Sequence, residues 1–183
     1  DLLRRFDLSG PRYTSYPTAD RFNEAFGPEQ YRQALQQRSG GVGAARQLPL
    51  SVYVHIPFCE SVCYYCACNK VITKHHERAA EYLDALDTEI DLVVTQARAG
   101  QPVSQLHFGG GTPTFLTSLE IDRLIEKLGN HFKLSRDPGR EYSIELDPRT
   151  ITTDTLRDLY RIGFNRCSLG IQDFDPAVQE AVN

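Results

Sequence analysis

From Leu48 onward the hydrophobic positions of the chain alternate between two periods. Short apolar or alternating runs, "SVYVHI" (51–56), "VSQLHF" (103–108), "EYSIEL" (141–146) and "RCSLGIQ" (166–172), read as strands. Longer runs at about 79–98, 118–132 and 153–162 carry the helical spacing instead. The third of these has Thr152 or Thr153 as N-cap and Gly163 as C-cap. Before Leu48 the pattern is different: an aromatic, proline-rich stretch, "PRYTSYPT", a short helix over about 28–38, and a Gly-rich linker, "SGGVGAA". The chain therefore divides into an N-terminal extension and linker, 1–48, and a β/α unit, 49–183.

Strands that alternate with helices build a parallel sheet with right-handed crossovers. The loops that follow its strands share one face, and ligands bind there. The unusual residues fall at those positions. A cysteine loop follows the first strand and "GGGTPT" (109–114) the second. Glu145 and Asp147 end the third strand, and Gln172 and Asp173 the fourth. Four motifs are thus expected around one mouth.

Composition narrows the function classes. Hydrophobic residues make up 40% of the 183 and charged residues 24%, which is globular. A formal charge of -4 argues against a nucleic-acid or anionic-membrane surface. No apolar run approaches the ~20 residues that cross a bilayer, and residues 1–20 lack the apolar region of a signal peptide. The chain opens at Asp1, contains no Met, and stops in a helix-like run, "DPAVQEAVN", so further sequence is expected at both ends. An odd number of clustered cysteines without a leader suggests a reducing, cytoplasmic compartment and metal ligation.

The cysteine loop, "FCESVCYYCACN" (58–69), holds Cys59, Cys63, Cys66 and Cys68. A disulfide sits poorly with a reducing compartment. Structural zinc usually takes two separated knuckles, and only one is present; His75 and His76 read as the start of a solvated helix. Redox work by Cys63 and Cys66 leaves Cys59 and Cys68 unexplained. The spacing favours an iron–sulfur cluster held within one tight loop. Three thiolates on a [4Fe–4S] cube leave one iron open to a chelating substrate.

Cys59, Cys63 and Cys66, with Tyr65 before the last, resemble the radical S-adenosylmethionine signature. More closely, "RYTSYPT", "YVHIPFC", "CYYCACNK", "QLHFGGGTPT", "SIELDPR" and "GFNRCSLGIQDF" together resemble the oxygen-independent coproporphyrinogen III oxidases, over about residues 11–174. The resemblance implies a partial (β/α)6 barrel, of which this α/β chain would supply the first four strands. It implies a [4Fe–4S] cluster, two S-adenosylmethionine molecules and a 5′-deoxyadenosyl radical. That radical would take hydrogen from the propionate side chains of coproporphyrinogen III, and loss of CO2 and one more electron would leave vinyl groups, a step of haem biosynthesis. It implies a monomer served by an unidentified one-electron donor. Cys59, Cys63 and Cys66 would ligate the cluster. Tyr53, Tyr65, Gly110, Gly111, Thr112 and Glu145 would hold the cofactors, with Gln172 serving the second. Cys68 would be surplus to the cluster but needed for activity.

Other residues carry weaker readings. His55, close to the cluster loop, is a catalytic candidate that can equally pack a strand end; His107 is as readily structural. Cys167 reads as a small buried hydrophobe. Arg12, Arg21, Lys70 and Arg149 are candidates for substrate carboxylates. Two rival functions are a radical S-adenosylmethionine haem chaperone and a passive iron–sulfur electron carrier.

Overall fold

The structure, a computed structural model, describes residues 18–40, 48–97 and 100–182, together with Arg5. The "PRYTSYPT" segment up to Pro17, with Arg12, and the linker from 41 to 47 lie outside the described residues. The long strands are β1 (Leu50–Ile56), β4 (Pro102–Gly110), β6 (Glu141–Leu146) and β7 (Arg166–Leu169). They lie in that order in one sheet, and all of their pairings are parallel. Short β5 (Lys133–Leu134) pairs with the start of β4, while β2 (Phe58–Cys59) and β3 (Val71–Ile72) form a separate two-stranded ladder. The longer α-helices among the described residues are α1 (Pro28–Gly40), α2 (Arg78–Gln96), α3 (Ser118–His131), α4 (Thr153–Ile162) and α5 (Pro176–Val182).

One face of the sheet is apolar because the strand alternation puts it there. Val54, Phe108 and Ile144 stand in register across three strands. They are buried with Leu83 of α2, Leu124 and Leu128 of α3, and Leu159 of α4. Burying each such side chain contributes roughly 1.5–3 kcal/mol. The alternate row is polar: Tyr53, His107, Ser143 and Arg166 are also in register and face the other way.

The helix ends follow the expected chemistry. Thr117 caps α3 in a reciprocal capping box with Glu120. Thr152, the first of the two expected candidates, accepts the Thr155 N–H to cap α4. That helix stops at Gly163, whose φ of 124° suits a residue without Cβ.

The fourth strand ends earlier than its sequence suggests. Leu169 pairs with Leu146, where β6 itself stops, so Gly170 to Gln172 have no ladder to join. Gln172 instead has φ 67°, an uncommon conformation for a side-chain-bearing residue. Cys167 also departs from expectation. It is exposed, like all four residues of β7, because β7 pairs only with β6 among the described residues and no buried side chain of α5 covers it. Conversely, β4 runs two residues further than expected and takes in Gly109 and Gly110.

Candidate active site

The cysteine loop leaves β1 at Pro57 and is closed at its neck. Val71 N–H donates to Pro57 O at 2.7 Å and Thr73 N–H to Cys59 O at 2.9 Å. On the other flank, Gly111 N–H donates to Ile56 O and Thr112 N–H to Phe58 O, both at 2.8 Å. Phe58 is buried and stacks on Phe115 with centroids 4.9 Å apart. The start of the loop is thus clamped between β3 and the glycine segment. Within it, Cys66 N–H donates to Cys63 O, and Lys70 Nζ to Cys66 O at 2.6 Å.

The glycines are there for want of room. A Cβ on Gly111 would lie 2.6 Å from Phe58 O, 2.8 Å from Pro57 O and 2.9 Å from the Cys59 sulfur. A Cβ on Gly110, at φ 116°, would lie 2.7 Å from the His55 ring. Gly109, which the sequence reading passed over, is the floor on which three side chains meet. Its missing Cβ would stand 2.9 Å from His107 Nε2, 3.1 Å from Tyr53 and 3.2 Å from the Glu145 carboxyl.

Glu145 is held from two sides. One oxygen accepts from Gly110 N–H at 3.2 Å, and the other lies 3.3 Å from His107 Nε2. His107 Nδ1 in turn meets Ser143 Oγ at 2.7 Å, and its ring stacks on Tyr53. Tyr53 Oη lies 2.9 Å from His55 Nδ1, and His55 Nε2 the same distance from Asn69 O. His107 therefore bridges Tyr53 and Glu145, a link that only the strand register reveals.

A cavity of about 820 Å³ opens where the strands end. Cys59, Cys63, Cys66 and Cys68 line it, as do Tyr65, Gly110, Gly111, Thr112, Glu145 and Gln172. Tyr53 and His55 are not among the lining residues; they adjoin Gly109 and Gly110. Of the basic candidates, Lys70 and Arg149 line the cavity, while Arg21 is exposed and paired with Asp20. All five cysteines are free thiols, so the structure holds no disulfide in the loop.

The thiols differ among themselves. Burial pushes the Cys59 thiol up, partly offset by the Thr112 hydroxyl 3.7 Å from its sulfur. The Cys68 backbone N–H pulls Cys66 below the ordinary thiol value, while the hydrogen bond with Cys66 pushes Cys68 up.

These features fit a cluster bound by three thiolates. The donors come from one closed loop, the glycine wall leaves no space for a side chain beside Cys59, and Thr114 Oγ1 in the same wall is buried without a partner. Among the described residues, no three His, Cys, Asp or Glu side chains converge as a single-ion site requires. A cluster does not ask for that, since each thiolate binds a different iron.

A parallel β/α sheet whose first loop carries three such cysteines defines a radical S-adenosylmethionine domain, and the Radical SAM superfamily model matches residues 53–183. The chain belongs to that superfamily. Membership implies a [4Fe–4S] cluster and S-adenosylmethionine. The chain is 53% identical over 184 residues to the oxygen-independent coproporphyrinogen III oxidase of Pseudomonas aeruginosa, covering 100% of this chain and 39% of that protein. The Escherichia coli protein of the same description is 49% identical over 184 residues, covering 100% and 38%. A solved structure of coproporphyrinogen III oxidase from Escherichia coli, a radical SAM enzyme, superposes with TM-score 0.83 at 46% identity, covering 100% of this chain and 39% of that one. The chain spans just under two fifths of the length of these relatives, and its parallel sheet is the expected front portion of their fold. No helix among the described residues is long and apolar enough to cross a membrane.

Proposed function

We propose that the protein carrying this chain catalyses the oxygen-independent oxidative decarboxylation of coproporphyrinogen III, turning propionates into vinyl groups. One observation carries the reading: the cysteine triad, glycine wall and Glu145 line one cavity in a chain that matches these oxidases along its whole length. Bound here, the cluster and S-adenosylmethionine supply the one-electron chemistry that makes a hydrogen-abstracting radical.

The chain's own residues bind, orient and exclude water. Cys59, Cys63 and Cys66 hold the cluster, and the clamped neck keeps their spacing. Backbone groups of Gly110, Gly111 and Thr112 approach the cofactor closely, as residues with bulkier side chains could not. Glu145, fixed by Gly110 N–H and His107, accepts hydrogen bonds from the cofactor. Tyr53 acts through His107, and His55 holds Tyr53 and the Asn69 end of the loop. Tyr65 offers an aromatic face, and Gln172 serves a second S-adenosylmethionine on the β7 side. Cys68, exposed at the cavity, is free of cluster duty and serves turnover. Lys70 and Arg149 are the cavity cations closest to hand for substrate carboxylates.

The same reading has the protein work as a monomer in the cytoplasm, taking electrons from a one-electron donor and using no nucleic-acid or membrane surface. The test is an anaerobic assay of the full-length protein on coproporphyrinogen III, with vinyl formation followed. Vinyl products are expected. Cleavage of S-adenosylmethionine with intact propionates would favour a haem chaperone, and a reducible cluster that cleaves nothing would favour an electron carrier.

A further inference from the structure

Tyr53, His107 and Ser143 are register partners on three neighbouring strands, and Glu145 stands two residues past Ser143 on the same face of β6. His107 joins Ser143 to Glu145. Its Nε2 lies 3.3 Å from Glu145 Oε1 and its Nδ1 2.7 Å from Ser143 Oγ. A carboxylate has no proton to give, so the His107 nitrogen that faces it carries the N–H. In the neutral ring the second nitrogen is then an acceptor and needs a donor. Ser143 is the hydroxyl in place to supply one. Its other contact, Leu106 O, is 3.4 Å away, beyond the usual range of an O–H···O bond, so the contact at 2.7 Å takes the proton. Tyr53 covers the ring face, with centroids 5.7 Å apart, but its hydroxyl is engaged 2.9 Å away with His55 Nδ1.

We propose that Ser143 is a positioning residue: its hydroxyl donates to His107 Nδ1 and so keeps the Nε2–H aimed at Glu145. The inference rests on the reading of Glu145 as a residue that binds S-adenosylmethionine. The Glu145 side chain is 44% exposed, and a long carboxylate with that much freedom must be ordered before it can hold a ligand. Ordering it in advance removes that cost from binding. Ser143 fixes the ring, the ring holds one carboxylate oxygen, and Gly110 N–H holds the other at 3.2 Å. The lone pairs left over on both oxygens stay available to the cofactor.

Two measurements test it, both on the full-length protein with its cluster reconstituted anaerobically and kept oxidised. The first is proton–nitrogen correlation NMR of the histidine rings at about pH 8, where imidazole is ordinarily neutral. His107 is assigned by the signals that disappear in His107→Ala. A ring protonated at Nε2 alone is expected, with the Nδ1 resonance displaced in Ser143→Ala. A ring protonated at Nδ1 or at both nitrogens would overturn the inference, as would an unmoved Nδ1 resonance in Ser143→Ala. The second is equilibrium binding of S-adenosylmethionine without reductant. Ser143→Ala is expected to bind about fivefold more weakly at wild-type iron and sulfide content. In a His107→Ala background the same change should add less than about 1.5-fold, because the hydroxyl acts only through that ring. An equal loss in both backgrounds, or wild-type affinity in Ser143→Ala, would overturn the inference and leave Glu145 as a cofactor residue. Wild-type affinity in Glu145→Ala would overturn both.

Discussion

The two ends of the mouth are built differently. At β1 and β4 the backbone is clamped: Ile56 to Cys59 bond to the glycine segment on one side and to β3 on the other, and there is no room for a Cβ at Gly111. At β7 all four strand residues are exposed, and Gly170 has only the end of the Gln172 side chain near it. The cluster side of the cavity is therefore preorganised by its own hydrogen bonds. The Gln172 side is exposed, with β7 paired on one side only among the described residues.

Removing any one of Cys59, Cys63 or Cys66 by alanine should strike hardest, with stable cluster assembly lost and turnover abolished, as iron and sulfide analysis would record. Gly111→Ala comes next, because the colliding Phe58 and Pro57 oxygens are backbone atoms that cannot move without breaking the clamp. A loss of about 3 kcal/mol is expected in denaturant unfolding, against under about 0.5 kcal/mol for Gly170→Ala, where a flexible side chain can step aside. Equal losses at the two glycines would dissolve the contrast.

The sheet itself offers a matched pair. Ile144 and Cys167 are register partners, one buried and one exposed. Ile144→Ala should cost about 2–5 kcal/mol and Cys167→Ala less than about 0.5 kcal/mol; a large cost at Cys167 would mean that β7 is as deeply packed as β6.

The smallest effect is in acid. The Arg149 guanidinium holds the Asp147 carboxyl below the usual carboxylate range. A carboxylate with a depressed folded-state value adds stability above its ordinary value near 4, and that stability fades as pH falls through the lower folded value. Unfolding measured from about pH 5 down to about pH 2 should show a slightly shallower acid limb in Asp147→Asn than in wild type. An unchanged limb would mean the pair contributes nothing to folding.

Much of this was legible in the sequence because it depends on period and local chemistry. The four long strands, the Thr152 and Gly163 caps, and the convergence of the loops on one mouth all follow from spacing. What escaped depends on pairing across the chain. Two-residue strands such as β2 and β3 carry no period, so the ladder that closes the cysteine loop was invisible. His107 becomes a bridge between Tyr53 and Glu145 only once strand register is known, and Gly109 matters only because those three side chains meet above it. The fourth strand was read too long because its apolar run continues to Ile171 while its ladder partner stops at Leu146. The exposure of Cys167 has the same origin, since burial depends on neighbours and not on residue type.

The central claim is that "CYYCAC" divides into ligands and a residue spared from ligation. Iron, sulfide and EPR analysis of Cys68→Ser beside Cys66→Ser, in the anaerobically reconstituted full-length protein, tests it most directly. The account predicts a full [4Fe–4S] cluster with reduced turnover in Cys68→Ser and no stable cluster in Cys66→Ser. Loss of the cluster in Cys68→Ser, or a stable one in Cys66→Ser, would contradict it.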